Sequence, residues 1–187
     1  MNHKGTIPLQ TERLLLRRFV LSDVEIAYVN WFSDPDVAFY MRWDAHTDIK
    51  QTEEMLSKFI SNYEEINFYR WAITFRTSNE VIGAIGFHID DDFDMIADVS
   101  YTLGKAFWGQ GIVTEALTEI LRFGLLDVGI NRIEAFHSIN NPASGKVMRK
   151  SGMTYEGHSR QKYKSHAGFE NCDLYAIIRS DLLSSAL

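Results

Sequence analysis

The chain has 187 residues, a net charge of −6, 45% apolar residues and a single cysteine, Cys172. This length suits one domain with a sizeable core, so we predict a single domain over 1–187, with its core at about 11–180. The acidic balance argues against a general nucleic-acid-binding protein, and no apolar run approaches the roughly 20 residues of a membrane span. One cysteine excludes an intrachain disulfide and, without an apolar signal peptide, favours a cytoplasmic protein.

Hydrophobic periodicity predicts strands and helices in the first half of the chain. An apolar run at 13–19 predicts the first strand. Ser22 and Glu25 have the spacing of a capping box, which predicts a helix that ends at Asp34. Asp48 is predicted to cap a second helix. Three strand-like runs follow, at 71–75, 81–88 and 96–103.

The second half of the chain contains the strongest helix prediction, at 112–128, where apolar residues recur along one face. A strand is predicted at 131–137. The next helix has Asn141 as its cap, Pro142 at its first position and Gly152 just beyond its end. A last strand is predicted at 173–178. Strands and helices that alternate without a linker indicate one mixed α/β domain.

The most informative segment, 108–115, has the sequence Trp-Gly-Gln-Gly-Ile-Val-Thr-Glu and runs into the predicted helix. Its glycines free the backbone, and the unpaired N–H groups of a helix start suit a phosphate or pyrophosphate. A P-loop requires Lys and Ser or Thr where Gln110 and Gly111 stand. A dinucleotide fingerprint requires a third glycine where Thr114 stands, and only about 50 residues follow the acidic Glu134.

The same segment resembles motif A, the acyl-CoA loop of the GNAT superfamily of N-acetyltransferases. It is most similar to the Rim-type branch, which acetylates the N-termini of ribosomal proteins. Further segments resemble that branch in the same order along most of the chain: 11–17, 97–103, 141–144, 150–153, 156–157 and 173–176. The resemblance implies an α/β GNAT fold with a mixed, mostly antiparallel sheet of six to seven strands and about four helices. That sheet would be splayed between its fourth and fifth strands.

The resemblance also implies an activity. It predicts an acyltransferase that moves acetyl directly from acetyl-CoA to a primary amine, with a protein N-terminal α-amine, possibly ribosomal, as the first choice of acceptor. A small amine (an amino acid, polyamine or aminoglycoside) is the nearest alternative. A CoA-binding regulatory module with weak catalysis is another, because Met148 stands where many members have a tyrosine acid. No metal, nucleic-acid or membrane partner is expected, and the family suggests a homodimer.

The resemblance assigns roles to particular residues. Main-chain groups of Tyr101, Thr102 and Leu103 would pair with the pantetheine arm. Asn141 and Ser144 would lie near the thioester, with Ser144 also a hydrogen-bond donor to the leaving sulfur. The remaining predicted cofactor contacts are Trp108, Gly109, Gln110, Gly111, Ile112, Val113 and Thr114 at the pyrophosphate and Lys146 at a CoA phosphate.

Asp98 is the candidate general base, because the branch often has a glutamate at this strand position; a solvated strand carboxylate is the alternative interpretation. An α-amine with a pKa near 8 is about 10% neutral at pH 7, whereas a lysine near 10.4 is below about 0.1% neutral. A site without a strong base therefore favours an α-amine. The acidic run at 90–94 predicts a hairpin turn rather than a calcium loop, because Met95 stands where the sharp-turn glycine belongs.

Overall fold

Strands and helices alternate along the chain, as the sequence predicts. The computed structural model describes residues 1–184, and within them the strands are β1 (Leu9–Gln10), β2 (Leu14–Arg17), β3 (Tyr69–Phe75), β4 (Val81–Asp91), β5 (Ile96–Leu103), β6 (Arg132–Ser138), β7 (Thr154–Ser165) and β8 (Gly168–Ile178). The helices are α1 (Val24–Ala27), α2 (Pro35–Ala38), α3 (Ile49–Asn62), α4 (Ile112–Arg122), α5 (Pro142–Lys150) and α6 (Arg179–Ser184). Among these described residues, none of the helices has the length and apolar character that crossing a bilayer requires.

One sheet runs through the described part of the chain, with its eight strands in the order β1-β2-β3-β4-β5-β6-β8-β7. Neighbouring strands are antiparallel except for β5 and β6, which are parallel. The predicted mixed, mostly antiparallel sheet is confirmed. It has one or two strands more than predicted, because the short β1 and the long β7 carry little hydrophobic periodicity.

A gap opens in the middle of this sheet between β5 and β6. The two strands pair over only three residues, where Ile96 to Asp98 lie opposite Arg132 to Glu134. Beyond that point β5 continues along β4 to Leu103, while β6 continues along β8 to Ser138. These are the fourth and fifth strands of the prediction, so the predicted splay is confirmed. An extended ligand can enter the gap and pair with the strand edges there.

The two faces of the sheet carry separate cores. On one face α4 and α5 pack against the sheet around Leu117 and Ile133, both fully buried. On the other face α1 and α3 pack around Trp31 and Leu56. Each helix buries its apolar side, and this burial is the main stabilising contribution of helices that are too short to persist alone in water.

Side chains along β5 alternate between these faces, as in any strand. Ala97, Val99 and Leu103 belong to the core on the α4 side. Asp98, Ser100 and Thr102 therefore face the α1–α3 side. This second side therefore carries the polar side chains of β5 at the gap. We call it the acceptor face, after the amine acceptor that the family resemblance implies.

The structure corrects one predicted helix start and confirms another. The capping box at Ser22 and Glu25 is wrong: the Asp23 carboxylate instead accepts from the Val20 N–H at 3.0 Å, ahead of a 3-10 turn that leads into α1. Asp48 does cap α3, since its carboxylate accepts from the Lys50 N–H at 2.9 Å. The helix predicted at 112–128 is present as α4 followed by wider π-type turns over Phe123–Val128.

A buried carboxylate ties the end of β6 to the β7–β8 hairpin. Glu170 is 3% exposed and accepts hydrogen bonds from the hydroxyls of Ser138 at 2.6 Å and Ser165 at 2.7 Å, and from the Asn140 amide at 3.2 Å. The two serine hydrogen bonds are the main cause that lowers the pKa of Glu170 below its ordinary value. The group is therefore ionised and held by neutral donors.

We expect Glu170→Ala to lower the free energy of unfolding by about 2–3 kcal/mol, because two buried hydroxyls lose their acceptor. The control is Glu156→Ala on β7, which removes one surface ion pair with Arg132 and should cost below about 1 kcal/mol. Urea denaturation at neutral pH measures both. Since the folded pKa of Glu170 is depressed, its contribution is present above the ordinary carboxyl range and is lost as the pH falls through the folded pKa. Equal losses in the free energy of unfolding for the two variants would contradict a stabilising role for the buried Glu170 carboxylate.

Candidate active site

The glycine loop lies at the mouth of the gap, between the end of β5 and the start of α4. Gly109 has φ +76° and Gly111, the N-cap of α4, has φ +75°, a left-handed conformation that favours glycine. A Cβ at Gly109 would have no atom within 4 Å, and one at Gly111 would meet only the Arg13 guanidinium at 3.7 Å. The front of the loop is therefore open, and it exposes the positive end of α4. This arrangement fits a phosphate or pyrophosphate.

The larger side chains of the loop turn away from this open front. The Trp108 indole N–H donates to the Leu103 carbonyl at 2.8 Å, and the Gln110 amide donates to the Ala106 carbonyl at 3.1 Å. Val113 is buried in the core below the helix. Main-chain groups, rather than these side chains, thus line the front of the loop. The Leu103 carbonyl is already engaged by Trp108, which the sequence did not reveal.

A cluster of hydrogen bonds holds the loop from behind, and we call it the Glu115 clasp. The Glu115 carboxylate accepts from the Thr11 hydroxyl at 2.5 Å, from the Arg13 N–H at 2.8 Å and from Arg13 Nε at 2.7 Å. Arg13 also donates to the Gln110 carbonyl at 3.1 Å. Burial raises the pKa of Glu115, but the hydrogen bonds from Thr11 and Arg13 outweigh it, and the pKa is lowered. Two segments that resemble the Rim-type branch, 11–17 and 108–115, therefore contact each other here.

We expect Glu115→Gln to lower the free energy of unfolding by about 1–2 kcal/mol, because it removes the charge from three hydrogen bonds. The control is Glu119→Gln on the same helix, whose carboxylate, within the described residues, pairs only with Arg122 three residues along the helix and should contribute below about 0.5 kcal/mol. Because the pKa of Glu115 is depressed in the folded protein, the difference between wild type and Glu115→Gln should shrink at acidic pH. A difference that is independent of pH down to about 3 would count against the clasp.

The α5 side of the gap carries a pair of hydroxyl groups. The Tyr101 hydroxyl lies 2.8 Å from Ser144 Oγ and 3.2 Å from the Ser144 carbonyl, and burial raises the pKa of Tyr101 to about 12. The Asn141 side chain accepts from the Ser144 N–H at 3.4 Å and so caps α5, as predicted. Lys146 lies on the exposed side of α5. The sequence did not reveal the role of the Tyr101 side chain, since its partner is 43 residues away.

Two buried residues lie on the side of α5 that faces the sheet. A Cβ at Gly145 would come within 2.3 Å of His137 Nε2, so only glycine fits against this ring. Met148 is 2% exposed and belongs to the core. The position where many family members have a tyrosine therefore faces the protein interior here and carries no hydroxyl.

Asp98 lies on the acceptor face at the point where β5 and β6 separate, opposite His88 on β4 and Glu134 on β6. Burial is the largest cause that raises the pKa of Asp98 to about 6, and the carboxylates of Asp90 and Glu134 raise it further. Lys162 and Arg42 act in the opposite direction. A carboxyl group with this pKa is ionised at neutral pH and can exchange a proton there.

Two tyrosine hydroxyls connect the segment that follows α2 to the end of β6 and to β7. The Tyr40 hydroxyl donates to the Asn140 carbonyl at 2.8 Å, and the Tyr163 hydroxyl donates to the Tyr40 carbonyl at 3.1 Å. The Arg42 guanidinium stacks over the Tyr163 ring at 5.7 Å. The segment around Tyr40 is thereby fixed to the hairpin, next to the gap.

Comparison with known proteins identifies the family. The model of the acetyltransferase (GNAT) domain matches residues 13–154. The chain belongs to the GNAT acetyltransferase family. It is also 30% identical over 173 residues to an uncharacterized N-acetyltransferase, p20, of Bacillus licheniformis, covering 92% of this chain and 97% of the relative. The predicted enzyme class, acyltransferase, is confirmed.

Two ribosomal-protein acetyltransferases are also similar to this chain, in agreement with the Rim-type resemblance. The ribosomal-protein-serine acetyltransferase of Escherichia coli is 27% identical over 100 residues, which cover 54% of this chain and 56% of the relative. A solved structure of RimL, a ribosomal L7/L12 alpha-N-protein acetyltransferase in complex with coenzyme A, has a TM-score of 0.80 at 21% identity. It covers 92% of this chain and 98% of its own, and therefore shows the same fold.

Proposed function

We propose that this GNAT enzyme transfers acetyl from acetyl-CoA directly to a primary amine, and that the acceptor is the N-terminal α-amine of a protein. The open glycine loop at the mouth of the β5–β6 gap is the observation that carries the proposal. The serine acetyltransferase relative supports the choice of acceptor. We further propose that the chain acts as one N-acetyltransferase domain. The predicted homodimer stays a prediction.

The residues around the gap are suited to hold the co-substrate. N–H groups of the loop from Gly109 to Thr114 would bind the pyrophosphate at the positive end of α4. Main-chain groups of Tyr101 and Thr102 would pair with the pantetheine arm along the free edge of β5. Lys146, exposed on α5, would contact a CoA phosphate. Acetyl-CoA, when bound, supplies an acetyl group activated as a thioester.

Asp98 would act as the general base on the acceptor face. Its carboxylate takes a proton from the acceptor ammonium group, and the neutral nitrogen then forms a bond to the acetyl carbonyl carbon. With a pKa raised to about 6, this carboxylate lies close to an α-amine in acidity and far from a lysine. The same base is therefore better matched to an N-terminal amine, which agrees with the proposed acceptor.

Ser144 would act as the proton donor to the leaving group. Its hydroxyl donates to the sulfur as the carbon–sulfur bond breaks, and the thiol leaves with that proton. The Tyr101 hydroxyl, at 2.8 Å from Ser144 Oγ, can replace the proton that Ser144 gives up. The nitrogen loses its second proton as the amide forms, and this proton returns to Tyr101 through solvent, so both hydroxyls are restored. Holding both reactants in one gap would supply much of the rate enhancement.

Thiol release and mass spectrometry test the proposal. The protein is incubated with acetyl-CoA and peptides that begin with Ser or Ala, with the same peptides blocked at the N-terminus and containing one lysine, and with polyamines and aminoglycosides. We expect one acetyl group on the free N-termini and none on the blocked peptides. Acetylation of small amines alone would favour the small-amine alternative. Binding of CoA without any turnover would favour a CoA-binding module, for which the buried Met148 is the specific observation.

A further inference from the structure

Arg70 on β3 reaches across the acceptor face to β5. It lies opposite Gly86 on β4, which in turn lies opposite Ser100 on β5, so the three positions share one face of the sheet. Gly86 has no side chain to block the path, and a Cβ there would come within 2.2 Å of the Tyr69 carbonyl. The Arg70 guanidinium therefore spans β4 and donates to Ser100 Oγ at 3.3 Å.

The charge of Arg70 is not balanced within residues 1–184. The guanidinium stacks on the Phe59 ring at 5.5 Å and donates one hydrogen bond, and no carboxylate of the described chain lies within 4 Å of it. Burial lowers the pKa of Arg70, which is the direction expected for a cation without an acidic partner. Arg70 is only half-buried, and its contact with Ser100 is exposed to solvent.

This guanidinium lies close to the candidate base. Ser100 and Asp98 are two residues apart on β5 and face the same way, which separates their positions by roughly 7 Å. One residue of a bound acceptor can span that distance. A guanidinium is also the group best suited to bind a carboxylate, because its planar fork donates two parallel hydrogen bonds.

We infer that Arg70 and Ser100 bind a carboxylate that the acceptor carries close to its amine. The inference rests on the proposed function and narrows the substrate class. Within the proposed class, such an acceptor is a peptide whose N-terminal residue is followed by an acidic side chain. A free α-amino acid, which belongs to the small-amine alternative, carries the same pair of groups. The amine points toward Asp98 and the carboxylate toward Arg70, so the face selects acceptors by charge as well as by the amine.

Equilibrium binding tests the inference without requiring turnover. Calorimetry on the CoA-saturated protein compares two matched pairs of acceptors: serine with serinamide, and the peptide Ser-Glu-Ala with Ser-Gln-Ala. We expect the wild type to bind at least one carboxylate member roughly 10- to 100-fold more tightly than its amide. Arg70→Gln should remove that preference, and Arg70→Lys should keep part of it, since the charge remains while the fork is lost.

Arg18→Gln is the matched control, because Arg18 also stacks over a ring, that of Tyr63 at 5.1 Å. It should leave the preference unchanged. If the wild type binds both members of each pair equally, or if Arg70→Gln retains the preference, the inference is overturned. The wild-type comparison still applies if Arg70→Gln does not fold. Carboxylate preference without acetylation of any amine would overturn the proposed function and leave this inference standing.

Discussion

Replacing Gly111 with aspartate is expected to raise the Kd for CoA by roughly 100-fold. Gly111 caps α4 with φ +75°, and a Cβ there would meet only the Arg13 guanidinium, at 3.7 Å. A carboxylate at this position would lie a few ångströms from the proposed pyrophosphate, where repulsion between like charges amounts to about 1–4 kcal/mol. It would also place a side chain in a left-handed conformation. Calorimetric titration with CoA measures the change.

The matched control is Gly111→Asn, which has nearly the shape of aspartate and is among the residues that tolerate the left-handed region. We expect its Kd to rise roughly tenfold less than that of Gly111→Asp, because only the conformational cost remains. A second control, Gly157→Asp on β7, places the same side chain at another glycine with positive φ, away from the loop. Equal CoA affinity of Gly111→Asp and the wild type would rule out this loop as the pyrophosphate site.

Replacing Asp98 with asparagine is expected to lower kcat/KM for an N-terminal peptide by roughly 100- to 1,000-fold at pH 7, the usual contribution of a general base. CoA binding should remain, because Asp98 lies on the acceptor face, away from the loop. Glu134→Gln on β6 is the control, since it removes a neighbouring carboxylate on the same face. Its effect at pH 7 should be less than about tenfold. A loss shared by both variants would indicate general electrostatics instead of a base.

The pH profile gives an independent test of the same residue. Asp98 acts when deprotonated, so wild-type activity should fall as the pH drops through about 6, where its carboxyl titrates. Removing the nearby negative charge with Asp90→Asn should lower the pKa of Asp98 and move that limb to lower pH. The activity of Asp98→Asn should not show this fall at acidic pH. The range to measure runs from about one pH unit below to about one unit above the expected pKa of about 6. Wild-type activity that stays constant over this range would remove Asp98 from the mechanism.

Elements with strong local signals could be predicted from the sequence almost to the residue. The predicted strand at 96–103 has the bounds of β5, and α5 begins after Asn141 as the capping pattern requires. A weaker local pattern gave a wrong prediction for the start of the first helix. Ser22 and Glu25 have the right spacing for a capping box, but Arg17 holds Asp23 in place and Asp23 makes the capping contact. Such a choice depends on a contact outside the local segment.

The parts of the fold that hydrophobic periodicity did not predict share a physical cause. Strand β7 is exposed along most of its length and bulges between Ser159 and Tyr163, so it shows no regular alternation. The hydrogen bond from Arg70 across Gly86 to Ser100 could not be predicted either, because it involves residues on three strands. Local periodicity carries no information about pairs of this kind. The position of the glycine loop could be predicted from the sequence, whereas the Glu115 clasp that holds it could not.

The Glu115 clasp also bears on how the enzyme reaches its active form. Thr11 and Glu115 are 104 residues apart, so their contact closes one of the longer loops in the chain. Closing a long loop costs entropy that must be offset by contacts formed at the same time, which makes such contacts slow to form. The glycine loop would thus gain its rigid backing only when β2 has joined the sheet. Competence to bind the co-substrate would then appear as one of the last events of folding, after most of the core is in place.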